Sequence, residues 1–168
     1  MQSVTTLYQQ AHTHHRSGQL AEAEALYQQV IMLQPQHADA LHLLGVLSYQ
    51  TNRAALAVQY IEQALAIDPR NLNYLNNYGL ALSANNQPES ALKSFQQAIL
   101  LQPKDLDVQL NIGNTLLTLN RFEEAAGYYR RILRVLPSKD DVRAALCHCL
   151  SSLGNQAQKL GKFTQAEA

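Results

Sequence analysis

The chain has 168 residues, no net charge at neutral pH and only 15% charged residues, and 46% of it is hydrophobic. A neutral chain without a basic run has no electrostatic reason to bind nucleic acid or an anionic membrane. The first residues lack the positive flank and apolar run of a secretory signal, and no stretch approaches the roughly 18 apolar residues that a membrane span needs.

The two cysteines, Cys147 and Cys149, lie two positions apart. On a helix such residues point to nearly opposite sides, so they cannot form a disulfide with each other. Free thiols are typical of a reducing compartment, and we therefore expect a cytoplasmic protein.

Four kinds of landmark recur along the chain, and all four keep the same constant spacing. They are Pro35, Pro69, Pro103 and Pro137; Gly45, Gly79 and Gly113; Ala23, Ala57, Ala91 and Ala125; and the series Gly18, Asn52, Asn86 and Asn120. Self-similarity at a fixed period is the signature of an architecture built from stacked supersecondary units. With abundant Ala, Leu and Gln, the sequence predicts an all-α fold.

Each landmark predicts one part of a helix pair. Gly18 and the three asparagines of its series tolerate the left-handed conformation, so they end the first helices, and the prolines close the second helices. A glycine inside a helix costs about 1 kcal/mol relative to alanine, so its recurrence predicts helices that cross too closely for a side chain. The bulky residues expected between the helices are Tyr27, Ile61, Phe95, Tyr129, Leu41, Leu44, Leu75, Tyr78 and Ile112.

This period and pattern resemble the tetratricopeptide repeat. The segments LHLLG, LNNYG and QLNIG fill its Trp-x-x-Leu-Gly part, with Leu41, Leu75 and Gln109 in the place of the Trp. The segments AVQYI, ALKSF and AAGYY fill its Ala-x-x-x-Phe part. The resemblance implies a right-handed α-solenoid of antiparallel helix pairs in one domain. The implied repeats are residues 4–37, 38–71, 72–105 and 106–139.

After residue 139 the landmarks return seven positions late. The step from Gly113 to Gly154 is seven residues longer than the step from Gly79 to Gly113. An insertion of that length is about two helical turns, so it nearly keeps the same face inward. We therefore expect residues 140–168 to form a long helix to about Leu160, a turn near Gly161 and a partial fifth repeat. The last helix would be cut short, so we expect a longer native chain or self-association through this open end.

The histidines are the first candidates for chemistry. His12 and His15 are three positions apart and share a helix face, and His42, in a groove-facing slot of repeat two, is a candidate to join them. No carboxylate or thiolate is placed to complete a metal site, so we expect none, and solvated side chains or a pH-sensitive ligand contact stay open. The sequence has no nucleophile-elbow, phosphate-loop or dinucleotide motif, so we expect no enzyme activity and no cofactor.

In the tetratricopeptide family the first helices line a concave groove. By analogy with the family's groove slots, the lining is uncharged at most positions and rich in amides, which offer donors and an acceptor to the backbone of an extended peptide. The candidate residues are Gln9, His12, His15, Arg16, His42, Tyr49, Gln50, Asn73, Asn76, Asn77, Asn111 and Asn114. The other interpretation of these residues is a solvated polar surface without a ligand.

Two groups of relatives offer a model for this lining. Relatives that bind chaperone C-termini use a carboxylate clamp of Lys and Arg, whereas this lining has Arg16 alone. Asn77 and Asn111, one repeat apart, are similar to the amide ladder of O-linked N-acetylglucosamine transferases, although Gln9 and Leu43 fill the slot in repeats one and two.

The resemblance implies a scaffold or adaptor that binds an extended segment of a protein partner, whose identity the sequence does not give. The alternative is the substrate-recruiting N-terminal arm of a larger enzyme, such as a glycosyltransferase or a methyltransferase. The native reading frame beyond the last residue would discriminate the two. On either interpretation the sequence predicts that replacing Asn77 and Asn111 weakens partner binding.

Overall fold

The computed structural model describes the backbone of residues 2–166 and the side chains of residues 2–158. Within that part of the chain every regular element is an α-helix, so the predicted all-α class is confirmed. The helices are α1 (Val4–Arg16), α2 (Leu20–Leu33), α3 (Ala38–Gln50), α4 (Ala54–Ile67), α5 (Leu72–Ala84), α6 (Pro88–Leu101), α7 (Leu106–Thr118), α8 (Phe122–Val135) and α9 (Asp140–Ala166).

The chain forms two compact units, residues 1–101 and residues 102–168. Unit 1 contains three helix pairs, α1 with α2, α3 with α4 and α5 with α6, and successive pairs pack through α2 on α3 and α4 on α5. Unit 2 contains the pair α7 and α8, and α9 packs on α8. The prediction that all repeats form one domain stays a prediction.

The ends of the first helices lie where the sequence predicts them. Gly18, Asn52, Asn86 and Asn120 have φ angles of 76°, 59°, 57° and 56°. This left-handed conformation costs little for glycine and is tolerated by asparagine, so each residue reverses the chain between the two helices of its pair. The predicted turns at these four positions are confirmed.

The helix crossings explain the three recurring glycines of the first helices. A Cβ atom built on Gly45 or Gly79 would clash with the opposing second-helix side chain, and one built on Gly113 would lie 2.8 Å from Tyr129. Alanine would not fit at any of these crossings without movement of its neighbour. The opposing residues at the three crossings are Ile61, Phe95 and Tyr129.

The predicted core is confirmed as well. Ala57, Ala91 and Ala125 are fully buried, and Gly79 and Gly113 are buried beside them. Tyr27, Ile61, Phe95 and Tyr129 fill the space between the helices with less than 2% of their surface exposed. Of the bulky residues expected on the first helices, Leu41, Leu44, Leu75 and Ile112 are buried and Tyr78 is half-buried.

The long helix α9 is confirmed, but the predicted turn near Gly161 is wrong. The helix runs without a break from Asp140 to Ala166. No proline follows Pro137 in the sequence, and a glycine inside a helix costs only about 1 kcal/mol while keeping its hydrogen bonds. The predicted open end includes residues beyond 158, such as Phe163, which lie outside the described side chains.

Cys147 is exposed and Cys149 is buried on α9, and both are free thiols. In the part of the chain that the structure describes, no helix is both long and apolar enough to cross a lipid bilayer.

Candidate functional site

The predicted groove residues of the first three repeats lie on α1, α3 and α5 of unit 1, and we call the surface of these three helices the first-helix face. Its residues differ widely in exposure. Gln9, His12, Arg16, Tyr49, Gln50 and Asn73 are exposed; His15, Asn76 and Asn77 are half-buried; and His42 is buried. The face therefore combines accessible side chains with polar groups that are held inside the fold.

A hydrogen bond between His15 and Gln50 joins α1 to α3. The ring nitrogen Nε2 of His15 lies 2.9 Å from Oε1 of Gln50. A carbonyl oxygen can only accept, so Nε2 of His15 carries the proton and donates it. The amide nitrogen of Gln50 makes no hydrogen bond within the described part of the chain, so it can donate to a ligand.

A second hydrogen bond, between His42 and Asn77, joins α3 to α5. The amide nitrogen of Asn77 lies 2.8 Å from Nε2 of His42. An amide nitrogen can only donate, so Nε2 of His42 is unprotonated and accepts. The carbonyl oxygen of Asn77 has no partner among the described residues, so it can accept from a ligand.

The surroundings of His42 keep its ring neutral. The residue is 8% exposed and stacks on Tyr74 with ring centroids 4.5 Å apart, and the hydroxyl of Tyr74 donates to Oδ1 of Asp39 at 2.5 Å. Burial lowers the pKa of His42 to about 4, against an opposing influence of the Asp39 charge. Burial, followed by the hydrogen bond to Asp39, raises the pKa of Tyr74. His42 is therefore a hydrogen-bond acceptor at neutral pH.

An apolar pocket of about 170 Å³ opens between α3 and α5 on this face. No charged side chain lines it. Its lining residues are Val46, Tyr49, Gln50, Ile61, Asn77 and Leu80. Three of these, Tyr49, Gln50 and Asn77, were predicted as groove residues from the sequence.

Sequence reasoning missed the pocket's apolar walls. Val46 and Leu80 each follow the crossing glycine of their helix and occupy the same position in successive repeats. The corresponding residues of repeats one and four are His12 and Asn114, which are polar. This switch from polar to apolar at one repeat position was the available signal.

The predicted residues of repeat four lie on α7 in unit 2. Asn114 is exposed, and its side-chain oxygen accepts a hydrogen bond of 2.9 Å from the hydroxyl of Tyr129. Asn111 is half-buried. Part of the hydrogen-bonding capacity of Asn114 is thus used within its own unit, and the ladder of Asn77 and Asn111 stays a prediction.

The histidines do not assemble a metal site in the described residues, where no three His, Cys, Asp or Glu side chains are grouped to hold an ion. His12 stacks against Tyr8, with ring centroids 6.4 Å apart. His15 and His42 already use one ring nitrogen each in hydrogen bonds to amide side chains. Their geometry is that of groups that orient amides.

Comparison with known families identifies the repeats. A tetratricopeptide-repeat model matches residues 8–71 and 78–140, and a second tetratricopeptide-repeat model matches residues 60–93. The chain belongs to the tetratricopeptide-repeat family. The family predicted from the constant spacing of the landmarks is confirmed.

Solved structures with the same fold include several tetratricopeptide-repeat proteins. A MamA crystal structure is 16% identical, with a TM-score of 0.84 over 97% of this chain and 89% of MamA. YrrB, titled a TPR protein with an unusual peptide-binding site, is 20% identical, with a TM-score of 0.83 over 91% of this chain and 79% of YrrB. These likenesses support the predicted fold class of solenoid-type helix pairs.

An enzyme is also among the similar structures. The O-GlcNAc transferase of Thermobaculum terrenum is 26% identical, with a TM-score of 0.72, and the match covers 80% of this chain but only 27% of the transferase. No curated protein matches the sequence.

Proposed function

We propose that this tetratricopeptide-repeat chain is a non-catalytic scaffold or adaptor, and that the first-helix face of unit 1 binds an extended segment of a partner protein. The observation that carries the proposal is the pair of amides on this face. Asn77 keeps an acceptor and Gln50 keeps a donor after each has bonded to a histidine. An extended peptide presents backbone N–H and C=O groups, and leaving one unpaired on burial costs about 1–3 kcal/mol.

The charge of the face supports a neutral mode of recognition. Among the predicted groove positions, only Arg16 carries a permanent charge. Arg16 makes no ion pair within the described residues. Arg53, which follows α3, is not one of these positions. Its guanidinium group forms an ion pair with Glu24, with Nη1 of Arg53 2.8 Å from Oε1 of Glu24. Binding through amides and apolar contacts should therefore depend only weakly on salt.

The fold's relatives support the same class of function. YrrB carries a peptide-binding site by its title, on a fold that covers 91% of this chain. A scaffold of this kind needs no catalytic group and no cofactor. A cytoplasmic location, suggested by the free thiols, is part of the proposal, as is self-association through the C-terminal end.

The test begins with capture of partners from the source cell and identification of the bound segment. A synthetic peptide of that segment is then titrated against the wild type and against Tyr49→Ala combined with Gln50→Ala. We expect at least a tenfold loss of affinity, about 1.4 kcal/mol, at both low and high salt. Both residues are exposed, as is the hydrogen bond between Gln50 and His15 that the double variant removes, so the fold should lose no more than about 1 kcal/mol of stability.

Glu62→Ala is the control for that titration, because Glu62 is exposed on the second helix α4. Its affinity should equal that of the wild type. Equal binding by the double variant would place the ligand on another surface. A steep loss of affinity with salt would instead show that charged contacts hold the partner, and would contradict the proposal.

Asn77→Ala, the substitution suggested by the sequence, is less suitable as a binding test. It removes the partner of a buried ring nitrogen in His42, which costs about 1–3 kcal/mol in folding stability. Asn111→Ala on α7 tests unit 2 separately. We expect it to lower the affinity for a partner that contacts α7. Each variant requires an unfolding measurement beside the titration.

The alternative function is the substrate-recruiting arm of a larger enzyme. The observation in its favour is the likeness to the Thermobaculum terrenum O-GlcNAc transferase, of which the matched region makes up only 27%. The native reading frame tests it: a catalytic domain encoded in the same frame would support the arm, and a stop codon soon after residue 168 would favour the adaptor. Peptide binding on the first-helix face is expected in both cases.

A further inference from the structure

The two amides that flank the apolar pocket are bonded to histidines in opposite senses. The amide nitrogen of Asn77 faces His42, which leaves the oxygen of Asn77 as an acceptor. His15 donates to Gln50 and so leaves the nitrogen of Gln50 as a donor. An isolated amide could rotate to present either atom, whereas these two are fixed.

This pair of atoms complements one residue of an extended chain. In a strand, the N–H and C=O of the same residue point to the same side, and a paired strand meets them with one acceptor and one donor. Asn77 and Gln50 offer the same combination, and both line the pocket that lies between them. The side chain of the bound residue is then adjacent to the pocket.

The pocket itself selects the chemistry of that side chain. Its volume of about 170 Å³ is similar to that of an engineered apolar cavity of about 150 Å³ that holds benzene. Val46, Ile61 and Leu80 supply its walls, and no lining residue could neutralise a charge. Burying an unpaired charge there would be strongly unfavourable, whereas an apolar side chain would be transferred out of water.

We propose that this pocket is an anchor site for one apolar side chain, of leucine to phenylalanine size, in the segment that binds the first-helix face. In this arrangement Asn77 accepts from the backbone N–H of the anchor residue and Gln50 donates to its C=O. His42 and His15 are positioning residues that act through these two amides. The inference rests on the proposed function, which it makes more specific.

The first test uses a displayed library of random short peptides, selected on the wild-type protein. We expect the selected peptides to share one apolar residue at a fixed position. A synthetic peptide from the selection is then measured by fluorescence anisotropy with Leu, Ala or Asp at that position. Replacing Leu by Ala should weaken binding about tenfold, and Asp should weaken it further.

The second test changes the pocket. Val46→Asn places in repeat two the residue that repeat four has at this position, and it should remove the preference for Leu over Ala in the peptide. Val58→Asn is the matched control, because Val58 is a half-buried valine on α4 that does not line the pocket. That control should keep the preference. Both variants are compared only after their unfolding midpoints have been measured.

The third test separates positioning by His42 from simple support of the fold. His42→Gln can place a side-chain oxygen near the site of Nε2 and accept from Asn77, whereas His42→Leu cannot. We expect the Gln variant to bind the selected peptide with an affinity within about threefold of that of the wild type. The Leu variant should bind at least tenfold more weakly, and the NMR signal of its Asn77 side-chain amide should be shifted because the acceptor is lost.

The outcomes distinguish this inference from the function on which it rests. If the library yields no peptide whose binding is weakened by Tyr49→Ala with Gln50→Ala, the proposed function fails. If such peptides are found but tolerate Asp at every position, the anchor site is wrong and the proposed function stands. Equal binding by His42→Gln and His42→Leu would overturn the positioning role.

Discussion

The helix crossings and the first-helix face follow different rules, although adjacent residues build them. At the crossings of repeats two, three and four, Gly45, Gly79 and Gly113 recur, and each meets a bulky side chain of the second helix. At the next position along the same helices, the residue changes from Val46 and Leu80 to Asn114. The repeated position maintains the packing, and the varied position gives each repeat its own surface.

This difference shows where the fold and the function are each encoded. In repeats two to four the crossing requires glycine because a Cβ atom would enter the opposing side chain, and repeat one has the next smallest residue, Ala11, buried at this position. The neighbouring residue faces the pocket or its equivalent, where a polar or an apolar side chain can be accommodated. Each prediction below tests one side of this contrast.

The largest effect should come from filling a crossing. A Cβ atom at Gly79 would overlap the ring of Phe95, which is itself 1% exposed. Gly79→Leu should therefore destabilise the fold by about 3 kcal/mol, and Gly79→Ala by somewhat less, as measured by denaturant unfolding. Gly127→Ala is the matched control: nothing lies within 4 Å of a Cβ there, and the helix should gain up to about 1 kcal/mol.

If Gly79→Ala and Gly127→Ala changed stability equally, the close approach of α5 and α6 would be contradicted. Helix propensity alone predicts that both substitutions stabilise. The sign of the difference therefore isolates the crossing from the helix.

The pH dependence of stability should report the buried ring of His42. Its pKa is lowered from 6.5 to about 4, so below pH 6.5 the unfolded chain takes up a proton that the folded chain excludes. Stability is therefore lost as the pH falls from about 6.5 toward 4, by about 2 kcal/mol between pH 7 and about pH 4.5. The groups facing the ring, Asp39, Tyr74 and Asn77, remain the same in the variant below.

The measurement compares unfolding of the wild type and His42→Gln across that interval. The variant lacks the titrating ring, so its free energy of unfolding should fall by about 2 kcal/mol less than that of the wild type over this interval. The titration of carboxylates contributes to both proteins and cancels in the comparison. His12→Gln, at an exposed position on α1, should follow the wild type. Parallel pH profiles for His42→Gln and the wild type would show that His42 is not held neutral by the fold.

The smallest effect should distinguish two tyrosines at the same repeat position. The hydroxyl of Tyr129 donates to Asn114, whereas that of Tyr27 is buried without a partner among the described residues. Tyr129→Phe should cost about 1 kcal/mol, and Tyr27→Phe should be neutral or slightly stabilising. Equal costs would mean that Tyr27 has a hydrogen-bond partner, such as an ordered water.

The crossings and turns could be predicted from the sequence because each depends on local backbone chemistry. The left-handed turn at Asn52 and the small site at Gly79 need particular residue types, so their spacing exposes them. The end of α9 could not be predicted in the same way. A glycine such as Gly161 permits a helix end but does not require one, and no proline enforces it.

The candidate site was only partly predictable. The residue list for the first-helix face came from family positions, and it included Gln50, His42 and Asn77. The hydrogen bond from Asn77 to His42 joins residues 35 positions apart on different helices, and it depends on the register between them. The pocket escaped prediction because Val46 and Leu80 look like ordinary core residues in a helix pattern.

The central claim is that the first-helix face of unit 1 binds an extended peptide. The most direct test is NMR of the protein during titration with a library-selected peptide, following the side-chain amide signals of asparagine and glutamine. We expect the signals of Asn77 and Gln50 to shift and to give the same dissociation constant as the fluorescence anisotropy of the peptide. The signal of Gln63 on α4 should stay unchanged. Shifts confined to second-helix residues, with Asn77 and Gln50 unmoved at saturation, would contradict the account.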